Sequence, residues 1–123
     1  GIIAGLEIDG DESIFTSGDY ERFFELDGRR YHHILDPATG YPATGIRSVT
    51  VVSRHAAFAD AAATALFVAG PEHWPAVAGR LGLDQVMVID SDGRIHLSPA
   101  MKERLWFPGD GPPGDQIVIR NIP

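Results

Sequence analysis

The chain has no cysteine. That absence excludes disulfides, a thiolate nucleophile and cysteine-held zinc, and it leaves the redox compartment open. No apolar run approaches the ~20 residues that a membrane-spanning helix requires. No secretory leader precedes the first apolar segment, Ile2-Ile3-Ala4-Gly5-Leu6. Because the chain opens at Gly1 rather than Met, it is expected to be a fragment, a domain or a processed chain. The missing leader is then silent about where the parent protein resides. Positive charge is also scarce: 10 Lys and Arg stand against 17 Asp and Glu, for a formal net charge of -7. The basic residues are scattered, which excludes the electrostatic footprint of a nucleic-acid binder. An acidic protein that handles phosphates must offset its own repulsion, and a divalent cation is the usual means.

With 123 residues, 44% apolar and 22% charged, the chain has the composition of one globular domain or a piece of one, long enough to bury a core without staples. No internal repeat is evident. The first half reads as strands: Ile2 to Ile8, a short extended piece from Ser13 to Thr16, and Tyr20 to Leu26. Asp27-Gly28 is a strong hairpin signal, and Arg29 to Ile34 is the return strand. Two prolines and a glycine between Leu35 and Pro42 exclude regular structure there. Arg47 to Ser53, rich in β-branched residues, is the next strand.

The composition then changes. His55 to Ala69 is dense in alanine, without Gly or Pro, and predicts a helix ended by Gly70. Pro71 is expected to open a second helix to about Leu81. Gln85 to Asp90 and Arg94 to Leu97 form a hairpin around Asp92-Gly93. Pro99 to Leu105 is a short helix, 109–114 a loop, and Gln116 to Ile122 a last strand or an extended tail. The class is α+β, with a mixed or antiparallel sheet and helices packed on it.

Three segments carry side chains suited to chemistry. In the alanine-rich helix, Asp60 and Thr64 are four residues apart and share a face. Both offer hard oxygen ligands, which suit magnesium rather than zinc. Ala59, Ala61, Ala62 and Ala63 would leave that face uncrowded. Asp60 also has a purely electrostatic explanation, as a carboxylate in the first turn, where the macrodipole favours it. His33 ends a strand beside a rigid polar loop. Imidazole is the usual general base near neutral pH, and Asp36 is placed to orient it. Thr39 and Gly40 add a hydroxyl and an open backbone to which phosphate oxygens have access. Read alone, a histidine such as His33 is more often a half-buried strand residue than a catalyst, and His32 reads as a solvated one. Ser17-Gly18-Asp19-Tyr20 is either hairpin punctuation or a set of backbone N–H groups aimed at a ligand. His55, His73 and His96 are expected at the surface, and Asp90-Ser91-Asp92-Gly93 lacks the spacing of a calcium loop.

Taken in order and spacing, the blocks Ser17-Gly18-Asp19-Tyr20-Glu21-Arg22, His33-Ile34-Leu35-Asp36-Pro37-Ala38-Thr39-Gly40-Tyr41-Pro42 and Ala59-Asp60-Ala61-Ala62-Ala63-Thr64-Ala65-Leu66 resemble the C-terminal portion of the ApbE family of FAD:protein FMN transferases. Met101-Lys102-Glu103-Arg104-Leu105 is similar to that family's closing segment. On this resemblance, 1–108 is the C-terminal part of a two-subdomain ApbE-like domain, and 109–123 is a Gly/Pro loop and terminal strand or tail beyond the family's usual end. The resemblance implies a magnesium-dependent enzyme that splits FAD and moves its FMN half onto a Thr or Ser hydroxyl of a flavoprotein subunit of a redox complex, releasing AMP. It makes His33 the catalytic base, Ile34 a flavin-dinucleotide contact, and Asp60 and Thr64 two side-chain ligands of Mg²⁺. Ser17, Gly18, Asp36, Thr39 and Gly40 are the remaining candidates for binding FAD. The other ligands, and most FAD contacts, would come from an N-terminal part of the same protein. A periplasmic or cell-envelope location, with a possible lipid anchor, is implied by resemblance only. Two alternatives use the same residues: a magnesium-dependent FAD pyrophosphatase, with water in place of the hydroxyl, and a non-catalytic flavin-binding assembly factor.

Overall fold

The computed structural model describes residues 2–17, 21–26, 29–35, 45–109 and 116–123, with only the backbone described for 2, 3, 21–26 and 29–35. Among the described residues, eight strands and three helices follow in the order β1 (Ile2–Ile8), β2 (Ser13–Ser17), β3 (Glu21–Leu26), β4 (Arg29–Leu35), β5 (Ile46–Ser53), α1 (Ala56–Ala69), α2 (Trp74–Leu81), β6 (Val86–Asp90), β7 (Ile95–Leu97), α3 (Pro99–Arg104) and β8 (Ile117–Ile119). The α+β expectation holds, but the strands divide into two sheets. One has three antiparallel strands in the order β1-β4-β3, and the other has five in the order β2-β5-β6-β7-β8. The larger sheet is mixed, because β8 lies parallel to β7 while its other pairings are antiparallel.

Alternation along β5 and β6 makes the larger sheet apolar on both faces. Val49, Val51, Val86 and Val88 face α1 and α2, where Ala59, Ala62, Ala63, Leu66, Trp74 and Ala78 complete a core layer. Val52, Met87 and Ile89 face the other way, and pack with Leu6 and Ile8 of β1, Ile95 and Leu97 of β7, and Met101 of α3. Each such buried side chain contributes roughly 1.5–3 kcal/mol. The smaller sheet therefore packs on the larger through β1.

Helix α2 begins at Trp74, not Pro71. The reason is Pro75. A helix running from Pro71 would place Pro75 in its interior, where its ring meets the preceding turn and its missing N–H breaks the ladder. Started at Trp74, the helix has Pro75 in its first turn, where neither matters. Residues 71–73 form a turn, closed by the Trp74 N–H donating to the Gly70 carbonyl at 3.1 Å. Gly82 stops α2 in the left-handed conformation, with φ 73°.

Three bonds of Arg104 tie the two sheets together. Its Nη1 and Nη2 donate to Oε2 and Oε1 of Glu12, each at 2.8 Å, and Nη2 also donates to the Glu7 carbonyl at 2.7 Å. Nη1 additionally reaches Gln85 Oε1 at 2.7 Å. The guanidinium holds the Glu12 carboxyl below the usual glutamate range, although burial pushes the other way, and Glu12 in turn raises Arg104.

Candidate active site

Helix α1 is built from strong helix formers and buries Ala59, Ala62, Ala63 and Leu66, an i, i+3, i+4, i+7 set. The 3.6-residue period then commits Asp60, Ala61, Thr64 and Ala65 to the opposite, exposed face. The expected side-by-side placement of Asp60 and Thr64 follows. Two sequence expectations are corrected here. Ala59, Ala62 and Ala63 point into the core, so the residues that keep the exposed face low are Ala57, Ala61 and Ala65. The helix starts at Ala56 with no acidic residue in its first turn, so the macrodipole does not account for Asp60.

The Thr64 hydroxyl donates to the Asp60 backbone carbonyl at 3.3 Å, the usual back-bond of a helical threonine, and its lone pairs remain on the exposed face. Asp60 and Thr64 thus present two hard oxygens one turn apart. Among the described residues no cluster of three or more His, Asp or Glu forms that could hold a metal. The pair fits part of an octahedral magnesium shell, whose remaining ligands must come from elsewhere.

His33 and Ile34 lie in β4, the central strand of the smaller sheet. In register, His33 is opposite Gly5 on one side and Arg22 on the other, and Ile34 is opposite Ala4 and Glu21. The row through His33 extends one residue further. Gly5 and Trp106 form an antiparallel bridge, each N–H donating to the other's carbonyl at 2.9 Å. The Trp106 indole lies over Gly5, where a Cβ would collide with the ring. Gly5 is thus glycine because the ring occupies its side-chain space. Trp106 remains 40% exposed beside this row. Sequence reasoning missed both residues; the one available signal was a glycine inside an apolar strand.

Ser17 is the last residue of β2, half-buried and opposite Val49 of β5. Gly18, Asp36, Thr39 and Gly40 lie outside the described residues, as does the Asp27-Gly28 turn. Leu26 is nevertheless opposite Arg29 in the β3–β4 pairing, as that hairpin requires. The described residues therefore bring Asp60 and Thr64 together, and set His33 and Ile34 in the other sheet.

One histidine departs from expectation. His96 is buried, not superficial. It is the central residue of β7, and its neighbours Ile95 and Leu97 face the inter-sheet core. Its Nε2 lies 2.8 Å from Asp90 Oδ2, and its Nδ1 lies 3.4 Å from Arg120 Nη1. A guanidinium can only donate, so Nδ1 is the acceptor and Nε2 carries the hydrogen directed at Asp90. Asp90 Oδ1 accepts the Asp92 and Arg94 N–H groups, each at 2.9 Å, which shapes the β6–β7 turn as expected. Burial works against the Asp90 carboxylate, but these bonds and that of His96 outweigh it and leave its pKa below the ordinary aspartate value.

The model of the ApbE family matches residues 1–87. A Rhodobacter capsulatus protein named FAD:protein FMN transferase is 42% identical over 119 residues, covering 97% of this chain and 23% of that protein. A Treponema pallidum protein of the same name is 45% identical over 96 residues, covering 77% of this chain and 26% of its own length. The crystal structure of the apo form of the Pseudomonas stutzeri flavinyl transferase ApbE superposes with a TM-score of 0.51 at 38% identity, covering 76% of this chain and 31% of that one. The chain thus spans about a quarter to a third of the length of these relatives. With most of its length inside the family match, and a sheet-and-helix arrangement shared with a solved member, the chain belongs to the ApbE family.

Proposed function

We propose that this chain forms the C-terminal part of a flavin transferase that moves the FMN half of FAD onto a Thr or Ser hydroxyl of a target flavoprotein and releases AMP. The observation that carries the reading is the presence, inside the family-matched span, of a strand-borne His33 and an Asp60–Thr64 pair set side by side on an open helical face. The names of the relatives supply the reaction class.

In this reading the acceptor hydroxyl oxygen attacks the flavin-side phosphorus. The P–O bond to AMP breaks, and the leaving phosphate carries away the electron pair. His33 takes the proton from the attacking hydroxyl, a role typically worth about 10²–10⁴-fold. Ile34, Ser17, Gly18, Asp36, Thr39 and Gly40 contact the dinucleotide. Asp60 and Thr64 hold Mg²⁺, which when bound neutralises charge on the pyrophosphate. Asp60 is suited to that task because it is exposed and no ion pair engages it among the described residues. A redox-complex subunit is the proposed acceptor, and the N-terminal part of the protein is the proposed source of the remaining ligands.

The test uses the full-length protein with FAD, Mg²⁺ and an acceptor domain, with covalent flavin read by in-gel fluorescence. His33→Ala is expected to abolish transfer while the fold persists, and Asp60→Ala to remove the response to magnesium. Wild-type transfer by His33→Ala would overturn the assignment. Release of FMN and AMP without labelling of any acceptor would convert it to a pyrophosphatase.

A further inference from the structure

We propose that Arg120 and His96 are positioning residues: they clamp Gly45, the exit of the 36–44 segment, against the end of the helix that carries Asp60 and Thr64. The functional half of this proposal rests on the transferase reading.

The clamp is a closed circuit of described contacts. Arg120 follows β8, and its backbone N–H donates to the Leu97 carbonyl at 2.9 Å, which fixes the tail to β7. Its Nη1 is shared between the Pro71 carbonyl at 3.3 Å and His96 Nδ1 at 3.4 Å. The guanidinium also stands over the Trp74 indole, 5.6 Å from the ring centroid. Pro71 comes directly after Gly70, the residue that ends α1. The Pro71 ring abuts Gly45, where a Cβ would be 2.9 Å from Pro71 Cδ, and Gly45 has φ +93°. A side chain at 45 is therefore excluded by backbone and by neighbour together. The Gly45 carbonyl accepts the Ser91 N–H at 3.1 Å. Asp90 shapes that same turn, and its carboxylate returns the circuit to His96.

Two consequences follow. The start of β5 and the end of α1 are held to each other through Pro71, so displacing Arg120 loosens both at once. His96 has a clear task without touching a ligand: oriented by Asp90, it presents a lone pair that fixes where the guanidinium sits. This also gives work to the tail beyond residue 108. Positioning of this kind acts on catalysis because a displacement of about 1 Å far from the chemistry can cost about 10²-fold in rate.

The experiment compares full-length wild type with Arg120→Ala, Arg120→Lys, His96→Gln and, as a destabilised control in the other core layer, Met101→Ala. Hydrogen exchange is followed at Ser91 and at Val52, whose N–H donates to Gln85 at the far end of β5. FMN transfer is measured well below each melting temperature. Arg120→Ala is expected to raise Ser91 exchange by up to about tenfold, the worth of one lost hydrogen bond, with Val52 unchanged. It should lower kcat at least as much while KM for FAD moves little. Arg120→Lys should recover part of both, His96→Gln should fall between, and Met101→Ala, which loosens the layer that holds Val52, should raise Val52 exchange rather than Ser91 exchange and leave kcat unchanged. Unaltered Ser91 exchange in Arg120→Ala overturns the clamp whatever the fate of the flavin chemistry. Raised exchange with wild-type kcat overturns the positioning role. A wild type that transfers no FMN overturns the transferase reading, and the exchange arm still decides the clamp.

Discussion

Arg104→Ala is the substitution whose cost the structure specifies most fully. The wild-type guanidinium makes a two-pronged bond to Glu12 at 2.8 Å on each side and further bonds at 2.7 Å to Gln85 Oε1 and the Glu7 carbonyl. The side chains of Arg104 and Glu12 are 22% and 8% exposed, so the pair is shielded from water but not sealed. Truncation strands a carboxylate that keeps the Asp9 N–H as a donor at 3.0 Å. Breaking a fully buried pair costs about 3–5 kcal/mol and a surface pair at most about 1, which brackets this case at roughly 2–4 kcal/mol. For a chain of this size about 4 °C is lost per kcal/mol, so the melting temperature should fall by about 8–16 °C. Thermal unfolding by circular dichroism measures this directly. Arg104→Lys should recover only part, because an ammonium cannot match the fork. The double variant with Glu12→Gln should be less unstable than the two single losses added, since it removes the stranded charge. A loss below about 1 kcal/mol for Arg104→Ala, or a lysine variant as stable as wild type, would refute the view that this fork joins the sheets.

Other substitutions test other parts of the structure. Ser98→Ala should cost about 1–3 kcal/mol in urea titrations, because the buried Ser98 hydroxyl accepts the Val86 N–H at 3.0 Å and donates to the Asp84 carbonyl at 2.7 Å. Gly5→Ala should expel the Trp106 ring; acrylamide quenching should rise for that tryptophan alone, since Trp74 is 0% exposed. Asp60→Ala and Thr64→Ala should leave stability within about 0.5 kcal/mol, since both residues are exposed, while transfer is lost. In acid, the depressed carboxyls of Glu12 and Asp90 give a definite sign. Their stabilisation is present above the ordinary carboxylate range and is lost as pH falls through their lowered folded values. Unfolding midpoints should drop below about pH 4, and Glu12→Gln should flatten part of that slope.

Local signals read well from the sequence where short-range physics decides the outcome. The alanine-rich α1 and the β6–β7 turn at Asp92-Gly93 both stand where composition and turn chemistry put them. Pro75 shows a signal present but outweighed: the attractive Pro71 start hid the proline that forbids it. What the sequence did not disclose is long-range. The partition of eight strands into two sheets depends on which apolar faces meet, and alternation along a strand does not name its partner. His96 looked superficial because its partners, Asp90 and Arg120, lie on different strands or beyond them. Trp106 lies 101 positions from Gly5 in the numbering, and no local pattern links them. For the site, the Asp60–Thr64 spacing was readable from helical periodicity alone, whereas the row joining His33 to Trp106 required the pairing register.

The parallel strand β8 has a consequence for solubility. β7 is three residues long, two of them apolar, and β8 covers its outer hydrogen-bonding edge. A chain ending after Phe107 would bare the Ile95-His96-Leu97 ladder, an open template for a second copy. β8 is itself a poor template: it is three residues long and is followed at once by a cationic Arg120. β8 therefore shields that edge, and removal of residues 108–123 should increase concentration-dependent aggregation.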